Sequence, residues 1–266
     1  MKEKEIQTEK PVLVKKRKKW FQVLKNIMKI KYKKTQFIYL GEPFTNGGII
    51  LSNHEGTEAP MSLEIWNDAP IRMWGAHEMN SGVVKTYKYQ SRVYYHEKKH
   101  WNLHLARLFC LIASPLTSMF YCGLNLISIY KDSRLLKTIR ESIEALKEGY
   151  NIVIYPENSE KGYLAELEGF HAGFVVLAET CLKKGMDIPV FITYYKKATN
   201  QYIIDAPVNY SQIKEKYVTK EEITKALCSR CNELGKMEFP VEDKKRAKKL
   251  QKIKEKEEKN KSKQGK

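Results

Sequence analysis

The sequence predicts an α/β protein in which a mostly parallel, mixed sheet is flanked by helices. Short apolar runs rich in β-branched and aromatic residues alternate along the chain with longer stretches of helical periodicity. The runs expected to form strands are 36–40, 48–52, 125–130, 151–155, 188–194 and 202–204. Strands separated by helices are typical of parallel sheets, because each helix carries the chain back to begin the next strand. A hydrophobic content of 42% is enough for a buried core.

The first element is a basic amphipathic helix within residues 1–34. From Lys18 onward, apolar side chains recur at helical spacing while lysines occupy the other side. The apolar positions are Trp20, Phe21, Leu24, Ile27 and Met28. Such a face can lie in the headgroup region of a bilayer or pack on the core of the domain. The lysines and Trp20 favour the bilayer.

Three further helices follow from the periodicity. The clearest begins at Asp132 or Ser133, each a suitable N-cap residue, and ends at Gly149. The second, 172–184, separates two predicted strands, and the third covers 220–237.

Residues 105–124 form a mostly apolar stretch that approaches the length of a membrane span. The stretch contains Arg107 and Pro115, which are unfavourable inside a bilayer-spanning helix. We therefore expect a buried helical hairpin, or a segment that enters one leaflet, rather than a full span.

Charge divides the chain into three parts: a basic segment 1–34, a domain 35–240 and a basic tail 241–266 that we expect to be disordered. The first segment carries 13 Lys or Arg and 3 Glu, and the tail carries 12 Lys or Arg against 5 acidic residues. These two ends account for the whole net charge of +17, so the domain is neutral. Basic ends on a neutral core fit an anionic membrane surface. They do not fit a nucleic-acid partner, which would require positive charge across the folded face.

The cysteines indicate a reducing compartment. All five lie mostly inside apolar runs, and no secretory signal peptide is evident before them. Cys228 and Cys231 form an isolated C-x-x-C pair without a second pair or a nearby histidine, so we expect no metal site there. We expect none at His100 and His104 either, since their i, i+4 spacing lacks a third ligand.

His54 is the candidate catalytic residue. It follows the apolar strand 48–52 directly, after Ser52 and Asn53. Open α/β sheets place reactive groups at the carboxyl ends of strands, where a histidine oriented by a carboxylate can deprotonate a hydroxyl.

Four ordered blocks around His54 resemble the glycerophospholipid acyltransferase family, which includes the 1-acylglycerol-3-phosphate acyltransferases. The family patterns are N-H-x-x-x-x-D-P, G-x-I-x-V-x-R, F-P-E-G-T-R-S with a following F-x-x-G, and V-P-V. Here the blocks read Asn53-His54-Glu55-Gly56-Thr57-Glu58-Ala59-Pro60, residues 125–131 ending in Lys131, Tyr155-Pro156-Glu157-Asn158-Ser159-Glu160-Lys161 with Phe170-His171-Ala172-Gly173, and Ile188-Pro189-Val190. The resemblance covers about residues 35–200 and implies the same α/β fold.

The resemblance also implies an O-acyltransferase at the cytoplasmic face of a membrane, bound as a peripheral or monotopic protein. It would move a fatty acyl group from acyl-CoA or acyl carrier protein, with no cofactor, to a hydroxyl of a lysophospholipid or glycerol-3-phosphate-type acceptor. His54 would be the base, and Lys131 and Lys161 would bind the acceptor phosphate. The third block, Glu157, Asn158 and Ser159, would hold the acceptor.

Two departures from the family pattern leave an alternative open. The aspartate that orients the family's histidine falls at Ala59, so Glu58, or less favourably Glu55, would have to replace it. Glu160 stands where a phosphate-binding residue is expected. The alternative is a lipid-binding protein that keeps the fold and has lost the chemistry.

Overall fold

A computed structural model describes residues 17–130, 132, 134–158, 164–243, 245–248, 250–253 and 255–256. Its strands form one sheet in the order β1-β7-β6-β2-β5-β3-β4, with β8 paired to β6. They are β1 Gln36–Tyr39, β2 Ile49–Ser52, β3 Ile71–Ala76, β4 Ile127–Ile129, β5 Asn151–Ile154, β6 Pro189–Lys196, β7 Gln201–Ile204 and β8 Val208–Asn209. Only the pairs that β6 forms with β7 and β8 are antiparallel among these strands, which confirms the predicted fold class.

Helices cover both faces of the sheet. They are α1 Lys19–Lys31, α2 Glu58–Trp66, α3 Val83–Lys88, a π-helix Tyr89–Lys98, α4 Leu103–Leu124, α5 Leu135–Lys147, α6 Gly173–Lys183, α7 Tyr210–Lys216 and α8 Lys220–Lys236. On one face α5, α6 and α8 bury side chains such as Ile143, Phe174 and Leu227. On the other face α1 and α2 contribute Phe21 and Leu63. The central strands β2 and β5 are therefore buried on both sides, which explains their uninterrupted apolar sequences.

The sequence did not predict β3. Its apolar pattern is broken by Arg72 and Gly75, which weaken any strand signal. Arg72 is accommodated because its guanidinium donates to the Asn125 carbonyl oxygen and to the Glu141 carboxylate, at 3.0 and 2.6 Å. Both partners are distant in the chain, so local sequence does not reveal them.

The start of α5 and the conformation of the basic tail, which was expected to be disordered, differ from the prediction. The N-cap of α5 is Arg134 rather than Asp132 or Ser133, and Ser133 lies outside the described residues. Asp132 still acts on this turn, because its carboxylate accepts the Arg134 backbone N–H at 2.9 Å. In the tail, residues 245–248, 250–253 and 255–256 are helical, which agrees with the high helix propensity of Ala, Leu, Lys and Glu.

Helix α4 replaces the expected buried hairpin. Its 22 residues run through Pro115 without a break, from the Asn102 N-cap to Asn125, which adopts a left-handed conformation. Within the described part of the chain, α4 alone is long and apolar enough to cross a membrane, and only 17% of its most apolar window is buried.

Helix α1 is docked to the domain by one aromatic residue and a buried ion cluster. Phe21 is fully buried and lies so close to Gly123 that a Cβ there would come within 2.0 Å of its ring. The buried Glu64 carboxylate of α2 lies 3.1 Å from Arg17 and 3.3 Å from Lys25. The Phe21 side of α1 therefore packs on the core of the domain, which was one of the two alternatives for this helix. Other apolar side chains of α1 stay exposed.

Replacement of Phe21 by alanine should detach α1. We expect Phe21→Ala to lower the free energy of unfolding by about 3 kcal/mol, because it leaves a cavity beside Gly123. Ile30→Ala on the same helix is the control: Ile30 is 86% exposed, so a change below about 0.5 kcal/mol is expected. Urea unfolding followed by circular dichroism measures both, and equal midpoints would contradict the docking.

Candidate functional site

The candidate site lies where the central strands end. His54 comes two residues after β2, which pairs in parallel with both β5 and β6. The carboxyl ends of β2 and β5 therefore share one edge of the sheet. There the first block of the acyltransferase pattern meets the third, although about a hundred residues separate them.

Asn53 fixes the loop that carries His54. Its buried side-chain amide donates to the Tyr195 carbonyl oxygen at 3.1 Å and accepts the Tyr195 N–H at 2.7 Å. Both backbone groups of one residue on β6 are thus satisfied by a single side chain. This pair of bonds explains why an asparagine precedes the histidine.

Glu157 holds His54 from the other side. Its carboxylate, which belongs to a buried residue, accepts the backbone N–H of the half-buried His54 at 2.9 Å. Glu157 in turn forms an isolated antiparallel bridge with Phe170. The His54 ring packs against the Tyr155 ring, with centroids 4.9 Å apart. The His54, Glu157 and Phe170 segments of the sequence pattern therefore form one structural unit.

A tight turn follows the histidine. Glu55 and Gly56 both have positive φ, 40° and 68°, so two consecutive residues are left-handed. This conformation is unfavourable for a glutamate and easy for glycine. The turn ends β2 abruptly and allows α2 to begin at Glu58, close behind His54.

Two tyrosines with buried hydroxyl groups, Tyr155 and Tyr202, lie on the inner side of the site. The Ser52 hydroxyl donates to the Tyr202 hydroxyl, which donates to the Ala59 carbonyl oxygen, both at 3.2 Å. Burial raises the pKa of Tyr155 and of Tyr202 well above 10. These phenols therefore stay protonated at neutral pH.

Of the two glutamates expected to orient His54, Glu58 forms an ion pair with a lysine. The half-exposed Glu58 carboxylate forms an ion pair with Lys197 at 3.3 Å. Ala59 is fully buried among apolar side chains such as Leu63. The pairing of Glu58 with His54 stays a prediction, as does the weaker assignment to Glu55.

The other predicted binding residues are only partly described. Lys131, Ser159 and Lys161 lie outside the described residues. Asn158 is described: it is exposed, and its backbone N–H donates to the Gly169 carbonyl oxygen at 3.4 Å. This bond closes the third block onto the segment before Phe170.

No sequence signal marks His77 as functional, yet the fold brings it to the same end of the sheet as His54, where the parallel strands finish. His77 follows β3, the neighbour of β5. Its ring centroid lies 5.1 Å from that of Tyr130, and its Nδ1 lies 3.1 Å from the Glu78 carboxylate. Prediction of β3 would have placed His77 at a strand end, where reactive groups collect.

The cysteine pair belongs to the core. Cys228 and Cys231 are buried on α8, and the Cys231 thiol donates to the Thr193 carbonyl oxygen at 3.3 Å. Burial raises the pKa of Cys228 to about 11, so its thiol stays protonated. Among the described residues, no group of three or more His, Cys, Asp or Glu side chains is arranged to hold a metal ion.

Comparison with known proteins gives a structural likeness and no match in sequence. No protein-family model matches the sequence, and no curated protein matches it. Among solved structures, the chain is similar to the 1-acyl-sn-glycerophosphate (LPA) acyltransferase PlsC from Thermotoga maritima. The likeness covers 81% of this chain and 77% of that chain, at 12% identity and a TM-score of 0.41.

Loss of the Asn53 amide should destabilise the sheet edge. Asn53→Ala leaves the N–H and the carbonyl of Tyr195 buried without partners, so we expect the free energy of unfolding to fall by about 2 kcal/mol or more. Asn46→Ala, in an exposed loop before β2, should change it by less than about 0.5 kcal/mol. Chemical denaturation of both variants tests this, and an unchanged Asn53→Ala midpoint would refute the assignment.

Proposed function

We propose that the protein is an O-acyltransferase that transfers a fatty acyl group from an acyl thioester to a hydroxyl of a lysophospholipid or glycerol-3-phosphate-type acceptor. The observation that carries this proposal is the 2.9 Å bond between His54 and Glu157. It joins the Asn-His block to the Pro-Glu block at the carboxyl edge of a mostly parallel sheet. Chance matches to sequence motifs would not be expected to converge on one site.

The chemistry requires one base at this edge. The His54 imidazole takes the proton of the acceptor hydroxyl as its oxygen attacks the thioester carbonyl carbon. The tetrahedral intermediate then collapses, the C–S bond breaks, and the imidazolium returns the proton to the departing thiolate. An activated thioester needs a base and stabilisation of its oxyanion, so the reaction calls for no metal or cofactor. Acyl-CoA or acyl carrier protein would be the co-substrate.

The remaining roles are assigned to residues of the second and third sequence blocks. Glu157 fixes the backbone of His54 and, with Asn158 and Ser159, holds the acceptor. Lys131 and Lys161 provide positive charge for its phosphate, as point charges without the bidentate geometry of arginine.

The proposed location is the cytoplasmic face of a membrane. The basic ends of the chain can be drawn to anionic lipids, with each Lys or Arg contributing about 1 kcal/mol near the surface. All five cysteines are free thiols, which favours a reducing compartment. The net neutral domain argues against a nucleic-acid partner.

The site also supports a second candidate function, a lipid-binding protein without catalysis. Ala59 presents a methyl group where the family pattern has a carboxylate, and Glu58 is engaged by Lys197. The carboxylate that orients a catalytic histidine makes a large contribution to its action as a base, and the aspartate of the family pattern is the residue replaced here. Such a protein would keep the fold and the residues that hold the acceptor, and it would lack the acyl transfer.

Replacement of His54 tests the catalytic proposal. With purified protein, an acyl thioester and lysophosphatidic acid, His54→Ala should reduce thiol release at least about 100-fold, since general bases contribute that much or more. His104→Ala, which removes an exposed histidine on α4, should leave turnover unchanged. Turnover of His54→Ala equal to that of the wild type would eliminate His54 as the base.

Two substitutions separate the candidates. If Glu58 orients His54, Glu58→Gln lowers kcat about tenfold or more and leaves KM unchanged, because only the transition-state imidazolium loses its partner. If the wild-type protein is inactive and Ala59→Asp gains thioester turnover, the natural protein is a binder. Activity in the wild type that survives Glu58→Gln assigns the orienting role to another residue.

A further inference from the structure

Helix α4 carries a long exposed apolar face, which we call the α4 face. Seven large apolar side chains on it are exposed by between 45% and 77%. They are Leu105, Leu108, Phe109, Leu111, Ile112, Leu116 and Met119. Their spacing places them along one side of the helix. Exposed apolar side chains grouped on one surface mark sites of interaction with a protein or a membrane.

The opposite side of α4 already has partners within the chain. Ala106, Cys110 and Ser114 are buried there, and the Ser114 hydroxyl donates to Gln90 of the π-helix at 3.0 Å. Tyr95 of the π-helix packs on Phe109, with ring centroids 5.2 Å apart. The π-helix thus supports α4 along its buried side and reaches Phe109 at the margin of the α4 face, whose seven side chains each keep at least 45% of their surface exposed.

Helix α1 packs beside α4 and exposes apolar side chains of its own. Phe21 of α1 contacts Phe120 of α4, with ring centroids 5.4 Å apart. Val23, Ile27 and Ile30 are exposed on α1. Two helices that are attached to the domain therefore each carry exposed apolar side chains.

The charge around the α4 face is positive. Residues 83–124 contain six Lys or Arg residues and one acidic residue, Glu97. Arg107 lies on α4 itself, and Trp101, which is 42% exposed, stands just before the helix. Basic side chains and an amphipathic tryptophan beside an apolar face are the composition that anionic lipid headgroups attract.

A helix crossing the bilayer does not fit this arrangement. Only two residues separate Leu124 from the first residue of β4, so this end of α4 is fixed to the sheet. Crossing would draw the π-helix into the hydrocarbon together with Arg92 and Glu97, which is unfavourable. A second copy of the chain would bring two positive surfaces together. An anionic leaflet offers both an apolar interior for the α4 face and negative headgroups for the basic residues around it.

We propose that the α4 face, with α1 packed beside it, is the membrane-docking surface of the protein and lies in the plane of one anionic leaflet. This deepens the proposed function, since it names the surface by which the enzyme would reach its lipid acceptor. Docking itself depends on the exposed side chains and their charge, not on catalysis.

Vesicle flotation of the full chain tests the proposal. Wild-type protein should float with phosphatidylcholine vesicles containing phosphatidylglycerol, and weakly with phosphatidylcholine alone. The double substitution Leu108→Glu and Ile112→Glu should weaken binding to the anionic vesicles at least about 100-fold, because two fully apolar contacts are lost. The control, Leu136→Glu with Val218→Glu, changes residues that are 72% and 85% exposed elsewhere, and it should float like the wild type.

Each other outcome overturns the proposal. Undiminished flotation of the α4 variant, or equal loss in the control, excludes the α4 face as the docking surface. A wild-type dimer that the α4 substitutions dissociate, without vesicle binding, assigns the face to a second copy. Circular dichroism and urea midpoints equal to those of the wild type show that the variants are folded.

Activity assays keep this proposal separate from the catalytic one. The α4 variant should turn over a short-chain, water-soluble acceptor at the wild-type rate and lose turnover only on vesicle-borne acceptor. If the wild-type protein shows no turnover at all, the acyltransferase proposal fails while the flotation result still decides the docking surface.

Discussion

The parallel pairing of β2 with β5 is the constraint on which the site depends. In this register Leu51 lies beside Ile154, and continuing it by three residues brings His54 level with Glu157. The 2.9 Å bond between them is thus a consequence of the sheet. A slip of one residue would turn every side chain of β2 to the opposite face and break this alignment. The fully buried, apolar faces of both strands make such a slip costly.

The strands at the centre of the sheet were predictable, because β2, β5 and β6 bury both faces and their sequences are continuously apolar. The positions of His54 and Glu157 at strand ends followed from this. Their contact could not be predicted, since the register that creates it joins residues 103 positions apart. β3 could not be predicted for the same reason. Arg72 interrupts its apolar pattern and is tolerated only because Glu141 and Asn125, which are distant in the chain, accept hydrogen bonds from its guanidinium.

Glu58 lies four residues from His54, and its pairing with the imidazole stays a prediction. The turn at Glu55 and Gly56 starts α2 so that the Glu58 carboxylate forms an ion pair with Lys197, which follows β6. Ala59, the next residue, points into the apolar core. A carboxylate at position 59 would be desolvated unless the imidazole paired with it, so the substitution to alanine removes both a cost to folding and an aid to catalysis.

The helices that carry exposed apolar side chains, α1 and α4, are connected through rigid elements to the end of the sheet that carries His54. Glu64, which anchors α1 through Arg17 and Lys25, lies on the same helix as Ala59, at most two turns away. Arg17 also donates to the carbonyl oxygen at the end of α4, Leu124, at 2.6 Å. Because α1, α2 and α4 are bound to one another in this way, the domain would not swing on a flexible tether. The orientation of the His54 edge relative to a docked bilayer would be set by the fold, so an acceptor would have to enter from the direction that the α4 face imposes.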